Sequence, residues 1–330
     1  MSAAAGAALG SVASLWRYPV KSMMGEELNA SLVTERGLLG DRAHALVDRE
    51  TGKVVSAKEP RKWAKLFEFR SAYVEPPGGN GLPPVRITLP DGTIATGEQA
   101  DLEQIVSSVL GREVAFARTA PEAPSLEEYW PDIEGLALRE TITEEEMPPG
   151  TFFDLAVVHV LTTATIDRLR ELYPDGRFEV RRFRPNIVVA SEERGFVEND
   201  WVGATLALGD EVRLEVTGPC PRCVMTTLPQ GRSAERSGNP ASRGQAQLGE
   251  RRRLCLRSSW RNGAARRPDP SRIKKRPGID PLLLREGSSA TGGKRAQSSC
   301  LPSSSSGYQW QRMPTDLACF VVAAARSICR

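Results

Sequence analysis

Cysteine, histidine and aromatic residues are scarce in this chain of 330 residues, which has 6 cysteines, 2 histidines and 6% aromatic residues. Four of the cysteines lie beyond residue 230, so the first 230 residues hold only Cys220 and Cys223. Two cysteines cannot build the disulfide framework of a small secreted domain, and their scarcity favours a reducing compartment. The predicted location is therefore the cytoplasm.

Long apolar runs are also missing. Residues Met1 to Ser14 are rich in Ala, Gly and Ser, but they lack the basic start and apolar core of a signal peptide. The apolar stretch from Leu317 to Ala325 is too short to cross a bilayer. We therefore expect neither a secretion signal nor a membrane partner.

The net charge of +3 conceals a division of the chain into an acidic front and a basic tail. Residues 231–330 hold 20 of the 44 basic residues and 6 of the 41 acidic residues, a balance of +14, so the first 230 residues carry −11. A net-acidic body is not a general polyanion surface, so nucleic-acid binding is not the favoured interpretation for the front of the chain.

Short alternating segments separated by turn residues dominate the first 230 residues, and only two helices are indicated. Hairpins are predicted for 85–96 and 204–216, and helices are predicted after Asp101 and after Thr162. This pattern predicts a mainly β fold of the α+β class, with two β-barrel-like units and a few helices. The acidic stretch 119–150 shows no period and is predicted to be a long loop and linker.

The turn from Gly218 to Thr227 carries both cysteines of the front at the end of an alternating segment. Such a turn presents soft metal ligands or redox thiols, and its two prolines reduce the entropy lost on fixing a ligand. Arg222 lies between the thiols and is expected to favour the thiolate form. A buried pair of free thiols is the alternative interpretation of an isolated C-x-x-C.

Four segments occur in the order found in one protein family: Leu15-Trp-Arg-Tyr-Pro-Val-Lys-Ser22, Gly40-Asp-Arg42, Phe183-Arg-Pro-Asn186 and Pro219-Cys-Pro-Arg-Cys223. The chain resembles MOSC-domain proteins with an N-terminal MOSC barrel, in the group that includes the mitochondrial amidoxime reducing component and its bacterial relatives. The resemblance implies an N-terminal MOSC β-barrel domain at 10–125 and a MOSC domain at 126–230 whose C-terminal part is missing, followed by a tail at 231–330.

The resemblance also implies a molybdenum cofactor and two-electron reduction of small N-hydroxylated substrates, with electrons from a separate donor protein. Cys223 matches the cysteine that ligates molybdenum in the family, whereas Cys220 matches a position that is not a ligand. The positions matching those that hold the pterin and its phosphate are Lys21, Ser22, Arg42, Arg184, Asn186 and Arg222. Asp154 and Thr162 lie near a further cofactor-contacting segment.

Simpler interpretations stand beside these assignments. Each cation alone is most often a solvated or turn residue, and Asn186 is a common turn former. His44 and His159 are predicted to be core or strand residues, and the acidic run at 144–146 is predicted to be a solvated charge run. Two other functions stay open: a non-catalytic carrier or sulfur-transfer module for the cofactor, and a zinc or dithiol redox module on the cysteine pair.

The tail at 231–330 departs from the family pattern. It is rich in Arg, Ser, Gly, Pro and Ala without usable periodicity, which suggests an out-of-frame translation or a disordered extension. A basic nucleic-acid-binding arm is the less favoured alternative. In either case the second barrel is expected to lack its last strands, which would leave exposed edges, a half-open pocket and impaired reductase activity.

Overall fold

A computed structural model describes residues 8–78, 81–132, 138–209, 211–228, 230, 281–285 and 321–327. The strands are β1 Ala8–Arg17, β2 Glu26–Leu28, β3 Val33–Thr34, β4 Gly37–Leu38, β5 Ala45–Asp48, β6 Arg70–Tyr73, β7 Val85–Thr88, β8 Ile94–Thr96, β9 Val114–Ala117, β10 Ser125–Trp130, β11 Thr141–Glu146, β12 Val158–Thr162, β13 Ile187–Ala190, β14 Thr205–Leu208, β15 Val212–Pro219, β16 Pro281–Arg285 and β17 Val321–Ser327. The α-helices are α1 Pro60–Trp63, α2 Leu102–Leu110, α3 Thr163–Leu172 and α4 Val180–Phe183, and 3-10 helices cover Ala64–Glu68, Val197–Trp201 and Val224–Thr227. The predicted mainly β fold with few helices is confirmed.

The largest sheet closes on itself. Its strand order is β13-β12-β17-β15-β14-β16-β1-β2, and β1 also pairs with β13. One side of β1 contacts β13, from Ser11↔Ala190 to Leu15↔Ile187, and the other side contacts β16 and then β2. The first strand of the chain therefore belongs to the sheet that carries the cysteine turn, so the two predicted units share a strand.

Strands β5 to β9 form smaller sheets around a separate hydrophobic core, the first core. β6, β7 and β8 make one antiparallel sheet, β5 pairs with β9, and the bridges Val20↔His44 and Met24↔Arg70 tie these pieces together. The core includes Phe67, Phe69 and Val106 at 0% exposure. Met225 and Leu228 pack into this core although β15 of the large sheet precedes them. The cysteine turn therefore lies where the large sheet meets the first core.

The predicted hairpins and helices are present where the local signals are strong. β7 pairs with β8 and β14 pairs with β15, as expected. Helix α2 ends at Gly111, which has a φ of 71°, a left-handed conformation that glycine adopts without steric cost. Thr162 caps α3 by accepting a hydrogen bond from the Thr165 amide, whereas the side chain of Asp101 makes no capping bond to α2.

The prediction of a long loop at 119–150 is wrong in its middle, because β10 and β11 pair there as an antiparallel hairpin. The alternation was missed because the hairpin is stabilised by charge and not by an apolar face, with Leu126 as its one fully buried side chain among the described residues of the two strands. Glu127 pairs with Lys62 at 2.6 Å, and Glu144 pairs with Lys53 at 2.9 Å. The acidic run is therefore partly paired and not simply solvated.

The expected exposed edges of the large sheet are also corrected by the structure. β17 pairs with β12 on one side and with β15 on the other, and β16 lies between β14 and β1. These two segments of the tail pair the edges that were expected to be open. The out-of-frame and disorder hypotheses otherwise fall on residues outside the described part of the chain. Within the described residues, no helix has the length and apolar character needed to cross a membrane.

Candidate functional site

The turn at Lys21 and Ser22 is held by backbone and side-chain contacts to three other segments. The Lys21 amide donates to the His44 carbonyl at 2.9 Å, and Ser22 Oγ accepts from the Ala57 amide at 3.1 Å. Lys21 Nζ donates to the Phe152 carbonyl at 2.9 Å and forms an ion pair with Asp154. Burial lowers the pKa of Lys21, and the Asp154 carboxylate offsets part of this shift.

Arg42 and Arg184 approach one aromatic ring. Their guanidinium carbons lie 4.4 Å and 4.3 Å from the Tyr18 ring centroid. Arg42 is paired with Asp41, while Arg184 donates from Nη1 to the Met23 carbonyl at 2.7 Å. Burial, followed by the charge of Arg42, lowers the pKa of Arg184 to about 10. This pair of cations is therefore not fully compensated by acidic groups of the protein.

Backbone strain is concentrated at these same positions. Among the described residues, four that are not glycine have a positive φ: Ser22 at 64°, Arg42 at 46°, Glu140 at 47° and Arg184 at 54°. Three of the four are predicted cofactor contacts. Because L-residues with side chains rarely adopt this region, such clustering is typical of sites where function fixes the side-chain direction.

Asn186 has a structural position between β1, β12 and the Gly-Asp-Arg turn. Its Oδ1 accepts from the His159 amide at 3.1 Å, and its Nδ2 donates to the Trp16 carbonyl at 3.2 Å and to Asp41 Oδ2 at 3.0 Å. The residue is 1% exposed. In this arrangement Asn186 holds together the segments that carry the cations, so its predicted cofactor contact would require these bonds to change.

Arg222 ties the cysteine turn to its neighbours. It donates to the Cys220 carbonyl at 3.0 Å and to the Phe183 carbonyl at 3.3 Å, and its Nη2 lies 3.2 Å from His159 Nε2. A guanidinium can only donate, so His159 Nε2 accepts, which fits a neutral ring. Burial and then Arg222 hold the pKa of His159 well below its usual value. His159 is therefore the strand residue that was predicted.

The charge of Arg222 does favour the thiolate of Cys220, as expected, but burial outweighs it and the net pKa shift of both thiols is upward. Burial raises the pKa of the Cys223 thiol to about 11, and the ammonium of Lys58 offsets only part of the shift. Burial likewise raises the pKa of Cys220, against the opposing charge of Arg222. Both thiols are partly exposed, and Cys223 also packs against the first core. A bound metal ion would supply the positive charge that deprotonates such a thiol.

Lys58 was missed by the sequence reasoning. Its Nζ lies 3.1 Å from Glu128 Oε2 and 3.8 Å from Asp154 Oδ2. Burial alone would lower the pKa of Lys58, but Asp154 and Glu128 outweigh it and raise the pKa. The sequence carries no motif for this contact. Lys58 follows the isolated bridge residue Val54, and its partner Glu128 lies in the hairpin that was predicted to be a loop.

Cations outnumber acids in this region. The basic groups that interact here are Lys21, Lys58, Arg42, Arg184 and Arg222, and the acidic groups that accompany them are Asp41, Asp154 and Glu128. The carboxyl of Asp154 is raised in pKa by burial, but Lys21 and Lys58 outweigh this and hold the pKa well below its usual range. An excess of two positive charges beside a partly exposed thiol fits an anionic group that carries a soft metal.

No cluster of three or more His, Cys, Asp or Glu that could hold a metal ion occurs in the described part of the chain. The structure thus brings Lys21, Arg42, Asp154, Arg184, Arg222 and Cys223 to one region. Ser22 adjoins it through its backbone and its hydroxyl already accepts a bond. Thr162 is fully buried and bonds Glu198, away from any solvent-accessible surface.

Two family models match the chain: the MOSC N-terminal beta barrel domain over residues 9–78 and the MOSC domain over residues 148–267. The second match extends past residue 230. The chain is 26% identical over 236 residues to mitochondrial amidoxime reducing component 2 of Rattus norvegicus, covering 67% of each chain. It is 27% identical over 237 residues to the protein of the same name of Homo sapiens, again with 67% of each covered. It is also 26% identical over 244 residues to mitochondrial amidoxime-reducing component 1 of Mus musculus, covering 67% of this chain and 66% of that protein.

Proposed function

Because this chain is a MOSC-domain protein with an N-terminal MOSC barrel, we propose that it binds the molybdenum cofactor and reduces N-hydroxylated compounds. The observation that carries the proposal is the under-compensated pair Arg42 and Arg184. The charge of Arg42 acts on Asp154, and Asp154 in turn interacts with the partly exposed thiol of Cys223. The names of the relatives, which are amidoxime reducing components, support the choice of substrate class.

The residues of the site divide into a metal ligand and an anion-binding group. Cys223 would hold the metal, because a thiolate suits a soft ion that also has sulfur ligands from its cofactor. The guanidinium groups of Arg42 and Arg184 offer planar donors to a phosphate, and such bonds are strongest where water is excluded. Burial and the neighbouring charge of Arg42 lower the pKa of Arg184 to about 10, so a bound anion would stabilise its charged form.

The cofactor, when bound, supplies the two-electron chemistry. The protein contributes orientation and charge. The ion pair of Lys21 and Asp154 fixes the carboxylate that interacts with Cys223, and Lys58 keeps a positive charge beside the same thiol. Asp154 has a side chain that is 40% exposed, so its carboxylate is the acidic group of the site that a small substrate can reach.

The cellular location of the protein and the identity of its electron donor remain predictions. The relatives are named mitochondrial, whereas the cysteine distribution of this chain predicts the cytoplasm. A separate redox protein would supply the electrons. The domain boundaries at 125 and 230 are likewise proposals; the family match runs from residue 148 to residue 267.

The test is the molybdenum and pterin content of the protein purified from a host that makes the cofactor. We expect molybdenum in the wild type and in Cys220→Ala, and its loss in Cys223→Ala. The Cys220 variant is a matched control, because it removes a thiol from the same turn. Reduction of an amidoxime is then followed with a chemically reduced viologen dye as an artificial electron donor.

The outcomes separate the three functions. Molybdenum without amidoxime reduction would favour the carrier or sulfur-transfer module. Zinc that is lost in both cysteine variants would favour the zinc or dithiol module. Molybdenum that is undiminished in Cys223→Ala would refute the assignment of the ligand.

A further inference from the structure

Helix α4 and the cysteine turn hold each other through reciprocal arginine contacts. From the turn, Arg222 Nη1 donates to the carbonyl of Phe183, the last residue of α4, at 3.3 Å. From the helix, Arg182 Nη1 donates to the carbonyls of Thr226 at 3.5 Å and Leu228 at 3.0 Å. Cys223 lies between these anchor points along the chain, so both sides of the thiol are tied to one short helix.

Arg182 is well suited to a fixed role. Its side chain is 10% exposed, and its Nε donates to Glu179 Oε2 at 3.1 Å. A guanidinium is a rigid fork, so holding its Nε edge by a carboxylate directs the opposite edge at the two carbonyls. These carbonyls lie at the C-terminal end of the 3-10 helix Val224–Thr227, which directly follows Cys223.

We infer that Arg182 is a positioning residue for Cys223: by anchoring the chain that follows the thiol, it holds the sulfur where the metal is bound. The role toward the metal rests on the proposed function, whereas the anchoring rests only on the hydrogen bonds of Arg182 within the chain. Ligand positions in a metal site must be held within about 0.5 Å by residues whose own side chains are locked, and the Glu179–Arg182 pair has that character.

The test compares three variants of the full chain. Arg182→Gln removes the charged donor, and Arg182→Lys keeps the charge without the fork. Arg181→Gln is the matched control, since Arg181 is the neighbouring arginine of the same helix, also pairs with Glu179 at 3.4 Å, and is more exposed at 27%. Hydrogen exchange of the Thr226 and Leu228 amides is measured in cofactor-free protein, because both amides donate within the 3-10 turn.

We expect these two amides to exchange roughly tenfold faster in Arg182→Gln, as for the loss of a charge-assisted hydrogen bond, with an intermediate value in Arg182→Lys. Arg181→Gln should match the wild type. In protein from a cofactor-competent host, molybdenum content should fall in the same order, and the visible absorption of the retained metal–thiolate group should change only in the Arg182 variants.

The results that would overturn the inference are distinct from those that would overturn the function. Unchanged exchange in Arg182→Gln, or equal acceleration in Arg181→Gln, would refute the anchoring even if the wild type holds molybdenum. Absence of molybdenum from the wild type would refute the proposed function and the metal role of Arg182, while the exchange difference would persist. If Arg182→Gln does not fold, an unchanged exchange rate in Arg182→Lys would refute the anchoring.

Discussion

Arg184 is the residue at which stability and cofactor binding should separate most clearly. Its side chain is buried, and its pKa is lowered from 12.5 to about 10 by burial and by Arg42. A shift of this size means that the charged form costs about 3 kcal/mol in the cofactor-free fold at neutral pH. Replacing the guanidinium by the apolar side chain in Arg184→Met removes that cost.

The same substitution also removes favourable contacts. The Met23 carbonyl loses its donor, which costs about 1–3 kcal/mol, and the cation–π contact with Tyr18 is worth about 1 kcal/mol. The left-handed backbone strain at position 184 is the same for both side chains. The gain and the losses therefore nearly cancel, and we expect the free energy of unfolding of the cofactor-free protein to change by about 1 kcal/mol or less.

Cofactor binding should respond very differently. Without the Arg184 fork the site loses its under-compensated charge, so we expect molybdenum and pterin content to fall at least about tenfold, with partial recovery in Arg184→Lys. The assays are chemical denaturation of cofactor-free protein and metal analysis of protein from a cofactor-competent host. Arg168→Met, an exposed change on α3, is the control for both.

The reasoning would be refuted by the opposite pattern. A loss of more than about 3 kcal/mol in the cofactor-free protein with wild-type molybdenum content would mean that Arg184 is a structural residue. Such a result would also remove the observation on which the anion site depends.

Three further outcomes are expected. Lys58→Gln should reduce molybdenum retention severalfold, because it removes the cation beside Cys223 and the ion-pair partner of Glu128. Lys53→Gln, which removes a cation that pairs with Glu144 of the same hairpin, should leave the metal content unchanged, and equal metal content in the two variants would contradict the prediction. The pKa of Asp154 is lowered in the folded protein, so its carboxylate stabilises the fold above the unfolded pKa near 4, and this stabilisation is lost as the pH falls below that value. The difference in free energy of unfolding between wild type and Asp154→Asn should therefore be largest near neutral pH and shrink in acid. A difference that does not change between pH 7 and pH 3 would contradict this prediction. A chain that ends at Phe320 should unfold several degrees lower than one that ends at Ser327, because only the first loses the strand between β12 and β15; equal melting temperatures would contradict that pairing.

Local signals were sufficient for the hairpins and the longer helices. The Pro-Asp-Gly turn before β8 and the glycine that ends α2 act within a few residues, so composition and spacing predict them. The four motifs also predict that Lys21, Arg42 and Arg184 lie close together, and in the structure the charge of Arg42 acts on both of the others. The motifs do not predict which partner each of these residues contacts in the protein.

Long-range partners were beyond local reasoning. Asn186 is predicted to contact the cofactor, and the structure adds hydrogen bonds from its side chain to Trp16 and Asp41, which lie 170 and 145 positions away in the sequence. The sequence likewise shows the adjacent Arg222, which lowers the pKa of Cys220, but it does not show the burial that outweighs this charge. Lys58 is the clearest omission. Its position in the site depends on the ion pair with Glu128, and the hairpin that holds Glu128 lacks an apolar period.

The closing strands show why composition averaged over a long segment is a poor guide to pairing. The tail is basic and of low complexity as a whole, yet 281–285 and 321–327 are short apolar runs within it. A strand that enters between two existing strands has its hydrogen-bonding pattern supplied from both sides, so five to seven residues are enough, and their neighbours in sequence need not share their character. Whether such a segment joins the sheet therefore depends on the two flanking strand edges as much as on its own sequence. These edges are formed only when the other strands are in place, so the sequence of the segment alone does not predict the pairing.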